Sequence, residues 1–133
     1  MINLFVYGSL MYEAVWQQIT HQKFEALDAV IHGYCRLGVQ NHSYPGLVKG
    51  KQSIEGKLFL NISPSILFRL DEYEGDYYER ISVDSTTTQQ QRYKADVYLF
   101  KQEFQHLLSS HPWDRDYFEQ HELKNYRVTF PAE

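Results

Sequence analysis

Positive charge, cysteine and long apolar runs are all scarce in this chain. Its 13 Lys and Arg are outnumbered by 17 Asp and Glu, for a formal charge of -4. No basic stripe interrupts that balance, so the clustered positive field that a nucleic acid or an anionic membrane would need is missing. The expectation is a chain with no nucleic-acid and no membrane partner. The single cysteine, Cys35, excludes an internal disulfide. No apolar run approaches the roughly 20 residues of a membrane-spanning helix, and Met1-Ile2-Asn3-Leu4 runs into a strand pattern without a charged leader. A soluble cytoplasmic protein is the default expectation. Repeats, low-complexity linkers and internal boundaries are absent too, so one domain is expected over residues 1–133.

Aromatic residues, by contrast, are plentiful: 16% of the chain, with 11 Tyr and 8 Phe. Such rings suit wide sheet surfaces and aromatic-walled pockets, with core packing accounting for most of them. A hydrophobic share of 43% over 133 residues is enough for one core.

The order of elements can be read from periodicity. Ile2 to Tyr7 is a β-branched and aromatic run of strand length, broken by Gly8-Ser9. Leu10, Met11, Ala14, Val15 and Ile19 then recur at helical spacing. Phe24 to Val39 reads as a long, bent strand that Gly33 can kink, and 41–46 as a loop. Ile54, Leu58, Leu60 and Ile62 alternate as a half-buried strand. Ser63 and Pro64 announce a helix as cap and first-turn proline, which Ile66, Leu67, Leu70 and Tyr73 continue and Gly75 ends. Two alternating runs, from Tyr77 to Asp84 and from Tyr93 to Leu99, read as an antiparallel hairpin with a polar tip at 86–91. After Pro112, the spacing of Trp113, Tyr117, Phe118 and His121 predicts a docked terminal helix over 112–126. Most strands alternate strongly, which predicts an α+β chain with a small, curved, barrel-like mixed sheet and flanking helices.

Candidate chemistry concentrates at two turns. Glu74 sits at the end of its helix, where unpaired carbonyls disfavour negative charge. Partial desolvation there would raise its pKa and suit it to proton handling; a solvated Glu in a fraying turn is the plainer reading. At Gly8-Ser9 the backbone permits close approach, and the amides that start the next helix offer unpaired donors for a carboxylate or oxyanion. The plainer reading has Ser9 cap that helix. Asp71, Glu72, Glu79 and Arg80 read as charges on a solvated helix face or strand rim. None of the histidines at 21, 32, 42, 106, 111 and 121 has zinc-site spacing, so no metal is expected. Cys35 lies in an alternating strand and reads as a packing residue rather than a nucleophile. Ser9 lacks the Gly-x-Ser-x-Gly frame of a serine hydrolase.

Three segments carry a resemblance. Phe5-Val6-Tyr7-Gly8-Ser9-Leu10-Met11, Tyr44-Pro45-Gly46, and Leu70-Asp71-Glu72-Tyr73-Glu74-Gly75 followed by Tyr78-Glu79-Arg80 resemble the γ-glutamylcyclotransferase superfamily, especially its plant avirulence-induced-gene-like branch. The resemblance implies a small mixed barrel-like fold and no metal or organic cofactor. It further implies cyclisation of a small γ-glutamyl amine or peptide to 5-oxoproline with release of the amine. Glu74 matches the family's catalytic acid/base, Tyr7, Gly8, Ser9, Leu10 and Met11 its substrate cradle, and Tyr98 a pocket-lining tyrosine. Leu10-Met11 departs from the Asn-Leu pair of the glutathione-metabolism branch, so reaction type transfers better than substrate. A non-catalytic module binding a small carboxylate or peptide end is the alternative, and a γ-glutamyl isopeptide hydrolase a third reading. The oligomeric state is left open.

Overall fold

The predicted strands share one sheet that closes on itself. The computed structural model describes residues 1–128; residues 129–133, the end of the expected domain, lie outside them. Its strands are β1 (Ile2–Val6), β2 (Ala26–Val39), β3 (Pro45–Ile62), β4 (Tyr78–Thr87), β5 (Arg92–Phe100) and β6 (Leu108–Pro112), with helices α1 (Glu13–Thr20) and α2 (Pro64–Glu74). The sheet order is β3-β1-β5-β4-β2-β6, and an additional β2–β3 pairing closes the first five strands into a barrel. Only β1 and β5 run parallel; the other pairs are antiparallel. The mixed, barrel-like sheet with flanking helices is therefore the observed fold.

Alternation along β1 divides the interior in two. Leu4 and Val6 pack with Val15, Trp16, Ile19, Leu67 and Leu70 beneath the helices. Phe5 and Tyr7 face the other way, into the barrel with Ile31, Leu47, Leu58 and Val97. Among the described residues no helix is long and apolar enough to cross a membrane.

Helix α2 follows its sequence signals closely. The Ser63 side chain accepts from the Ile66 amide, Pro64 opens the first turn, and Ile66, Leu67, Leu70 and Tyr73 are the buried residues. In β2 the kink falls where expected: Gly33 has φ +91°, and the pairing with β3 shifts register around Tyr34.

Elsewhere the structure corrects the sequence reading. The expected loop at 41–46 is shorter, because Pro45 and Gly46 already pair with Gly38 and Leu37 of β2. Proline is tolerated there as the first residue of a strand, where a missing amide disturbs the ladder least. The hairpin is longer than predicted, since Thr86 pairs with Arg92 and the β-branched threonines extend β4. Leu10 and Met11 belong to a separate 3-10 turn, Ser9–Met11, and α1 starts only at Glu13. Ala14 is exposed while Trp16 is buried.

The expected terminal helix over 112–126 is instead a strand followed by helical turns of changing winding. Pro112 ends β6, which pairs with β2, and the turns run from Arg115 to Asn125. Asp114 starts them by accepting from the Tyr117 amide at 2.9 Å. Of the four side chains whose spacing suggested docking, only Trp113 and Phe118 are buried. Trp113 donates through Nε1 to the Ser43 carbonyl at 2.8 Å, and the Arg36 guanidinium lies over its ring. Tyr117 and His121 remain outside, their rings 4.5 Å apart.

Candidate active site

The turn after β1 is built by close packing. A Cβ on Gly8 would come within 2.9 Å of the Pro45 ring, so only glycine lets the turn lie against the start of β3. The Met11 amide then donates to the Gly8 carbonyl and the Tyr12 amide to that of Ser9. Those two bonds leave the amides of Ser9 and Leu10 outside the turn's own pairing. The Ser9 side chain is not a helix cap; its Oγ lies 2.7 Å from the Tyr73 hydroxyl on α2, and the Tyr73 hydroxyl also bonds that of Tyr126.

This turn and the end of α2 wall one narrow cleft. Its lining includes Tyr7, Gly8, Ser9, Leu10, Tyr44, Pro45, Glu74, Tyr78 and Tyr98, with about 320 Å³ of space between their atoms, mouth included. Glu74 is the one carboxylate in that lining. Two of the tyrosines are pinned by backbone carbonyls: the Tyr7 hydroxyl donates to Tyr98 at 2.5 Å and that of Tyr78 to Pro45 at 2.7 Å. Tyr98 donates to Asp71 Oδ1 at 2.6 Å.

Electrostatics separates the roles these groups can take. Burial pushes the phenols of Tyr7 and Tyr98 up, and the charge of Glu74 is the next cause in both. Tyr78 is raised by burial and then by Tyr7 and Glu74, and Tyr73 by burial and then by Tyr126 and Glu74. All four therefore stay protonated near neutral pH and can donate hydrogen bonds but not take up protons. Glu74 is the group of the cleft lining that carries a carboxylate. Among the described residues no three His, Cys, Asp or Glu side chains gather as a metal site.

The family profile described as "Gamma-glutamyl cyclotransferase, AIG2-like" matches residues 4–115, a span that contains every one of these lining residues. The chain belongs to that family. Protein AIG2 C of Arabidopsis thaliana is 35% identical over 83 residues, 62% of this chain but only 50% of that protein. AIG2-like protein C of the same plant is 27% identical over 126 residues, covering 93% of this chain and 73% of the relative. The chain thus spans about half the length of AIG2 C, the first of these relatives. An Arabidopsis thaliana solution structure superposes with a TM-score of 0.75 at 26% identity, over 93% of this chain and 76% of that one. A solved gamma-glutamyl cyclotransferase superposes with a TM-score of 0.65 at 18% identity, over 75% and 66% of the two chains, a likeness of fold alone.

Of the residues singled out from the sequence of this family member, Glu74, Tyr7, Gly8, Ser9, Leu10 and Tyr98 meet in the cleft. Met11 does not. It turns to the other side of the 3-10 turn, into an apolar pocket with Trp16, Phe24 and Phe59. Its amide is also spent on Gly8, so neither its side chain nor its N–H faces the cleft lining. Sequence reasoning missed Tyr44, Pro45 and Tyr78 as wall residues, although all three stand in the segments that carried the resemblance. It also misread Asp71 and Arg80 as solvated rim charges. Arg80 Nε and Nη2 bond the two Asp71 oxygens at 2.7 and 3.2 Å, and Nη1 bonds Asp96 at 2.6 Å.

Proposed function

We propose that this chain is a γ-glutamyl cyclotransferase, converting a γ-glutamyl amine or peptide to 5-oxoproline and a free amine with Glu74 as acid/base. The observation that carries the reading is the shared cleft: one carboxylate, three tyrosines that stay protonated (Tyr7, Tyr78 and Tyr98), and the amides of Ser9 and Leu10. In that cleft the substrate's own α-amine is the nucleophile, so holding it folded over the γ-carbonyl supplies much of the rate. Glu74 takes a proton from the α-ammonium, and the freed nitrogen attacks the γ-carbonyl carbon to form the ring C–N bond. The carbonyl oxygen gains negative charge, which the Ser9 and Leu10 amides stabilise. As the oxygen's electron pair returns, the bond to the departing nitrogen breaks and Glu74 hands its proton to that nitrogen. The second proton, lost by the ring nitrogen, follows the same route, and the amine leaves as an ammonium ion.

The test is 5-oxoproline release from γ-glutamyl amines. Glu74→Gln lowers it by about 10²- to 10⁴-fold while the circular dichroism spectrum stays that of the parent. Full turnover by the variant would sink the assignment. Release of glutamate in place of 5-oxoproline from the parent would indicate a hydrolase, and binding of 5-oxoproline without turnover would indicate a non-catalytic module.

A further inference from the structure

A second cleft adjoins the first. Asp71, Gly75, Tyr78, Arg80 and Tyr98 line about 670 Å³ of open space. Tyr78 and Tyr98 line both clefts, and Gly75 directly follows Glu74, so the two meet along those tyrosines beside the carboxylate. Strand register explains the charges found there. Arg80 stands opposite Tyr98, and Ser82 opposite Asp96, which puts Asp96 one diagonal step from Arg80 on the same face.

Each of the three guanidinium nitrogens in this cleft already bonds a carboxylate. Nε and Nη2 serve Asp71 and Nη1 serves Asp96, while Asp71 also accepts from the Tyr98 hydroxyl. Burial works against the charge on Arg80, but the bonds and charge of Asp71, with Asp96 behind, outweigh it and hold its pKa above the ordinary value. Two carboxylates share one cation, which leaves a net negative charge, and Glu74 adds its own across the tyrosines. With its side chain 39% exposed, Asp71 projects that charge into the open cleft.

We infer that this second cleft receives the departing amine and selects one whose far end is positively charged, such as an alkyldiamine. The inference rests on the cyclotransferase reading above. A neutral alkyl tail would gain only contact with the tyrosine rings, whereas an ammonium group gains the field of Asp71 and Asp96 and the π-faces of the rings. An anionic tail is repelled by the net negative charge that Asp71, Asp96 and Glu74 leave around the one guanidinium. If the network served only to hold Tyr98 in place, the tail's charge would make no difference.

The experiment compares kcat/KM for 5-oxoproline release from three γ-glutamyl amides with the same four-carbon spacer. Their leaving amines are 1,4-diaminobutane, n-pentylamine and 5-aminopentanoate. The cationic tail should exceed the neutral one by roughly fivefold or more at low salt, with the anionic tail slowest. That advantage should shrink as salt is added. Asp96→Asn, whose side chain lies outside the cleft lining, should bring the cationic-to-neutral ratio towards one. Equal rates for the three amides, or a preference for the neutral or anionic tail, would overturn the inference and leave the cyclotransferase reading standing. An Asp96→Asn ratio equal to that of the parent would likewise overturn it. Absence of 5-oxoproline from all three would remove both.

Discussion

The hydroxyl of Tyr7 reaches the carbonyl of Tyr98 on β5, the strand beside β1, and both residues are buried. Removing that hydroxyl strands a carbonyl without water, so Tyr7→Phe should cost about 1–3 kcal/mol. Urea unfolding would show it as a lower midpoint at unchanged slope. A tyrosine in a strand looks the same whether its hydroxyl anchors a wall or meets water, so this role was not legible in the sequence. Leu10 and Met11 make the same point. They are adjacent, apolar and equally at home in a cradle motif, yet one lines the cleft and the other packs beside Trp16. A 3-10 turn separates their directions by about a third of a circle, and the local pattern had suggested a regular helix instead.

Elements carry the cleft by fitting closely rather than by their individual strength. The turn after β1 touches the start of β3 through Gly8 and Pro45, and a Cβ there meets a proline ring that has little freedom to move aside. Gly8→Ala should therefore destabilise the fold by about 1–3 kcal/mol and lower 5-oxoproline release as the turn shifts. Thermal unfolding and the product assay would report the two effects separately. Helix α2 was legible nearly to the residue, because Ser63, Pro64 and the apolar spacing act within the helix itself. The segment after Pro112 was not. Its turns depend on where Trp113 and Phe118 find cavities to fill, and β6 depends on an open edge of β2. Those partners are distant in sequence, so periodicity alone joined the segment into one helix.

Across the whole molecule, buried phenols tie stability to alkaline pH. The folded pKa values of Tyr7, Tyr73, Tyr78 and Tyr98 all lie above the ordinary value of 10.0, with burial as the largest cause. For groups raised in the folded state, the stabilising contribution is fully present below the unfolded pKa and disappears as pH rises above it. Stability should thus hold through neutral pH and fall steeply above pH 10, as the unfolded chain begins to ionise these tyrosines. In a spectrophotometric titration, these four phenols should ionise only together with the loss of near-ultraviolet circular dichroism. Reversible titration of all the tyrosines near pH 10, with the folded spectrum intact, would contradict the burial described here.

Local chemistry was enough to decide the strand periods, the capped helix, the turn at Gly8 and the presence of a carboxylate before Gly75, because each is set by neighbours a few residues away. The resemblance named the family on those same segments. Closure of the barrel was different: β2 had to pair with β3 over a long register and β5 had to join β1 in parallel, and both are contacts between distant parts of the chain. Only that closure brings residues 7–10, 44–45, 74, 78 and 98 around one space and spends Arg80 on Asp71 and Asp96. The sequence could supply the acid and the amides. Their meeting in one cleft required the sheet to close, since burial and hydrogen-bond partners at this site come from strands far apart along the chain.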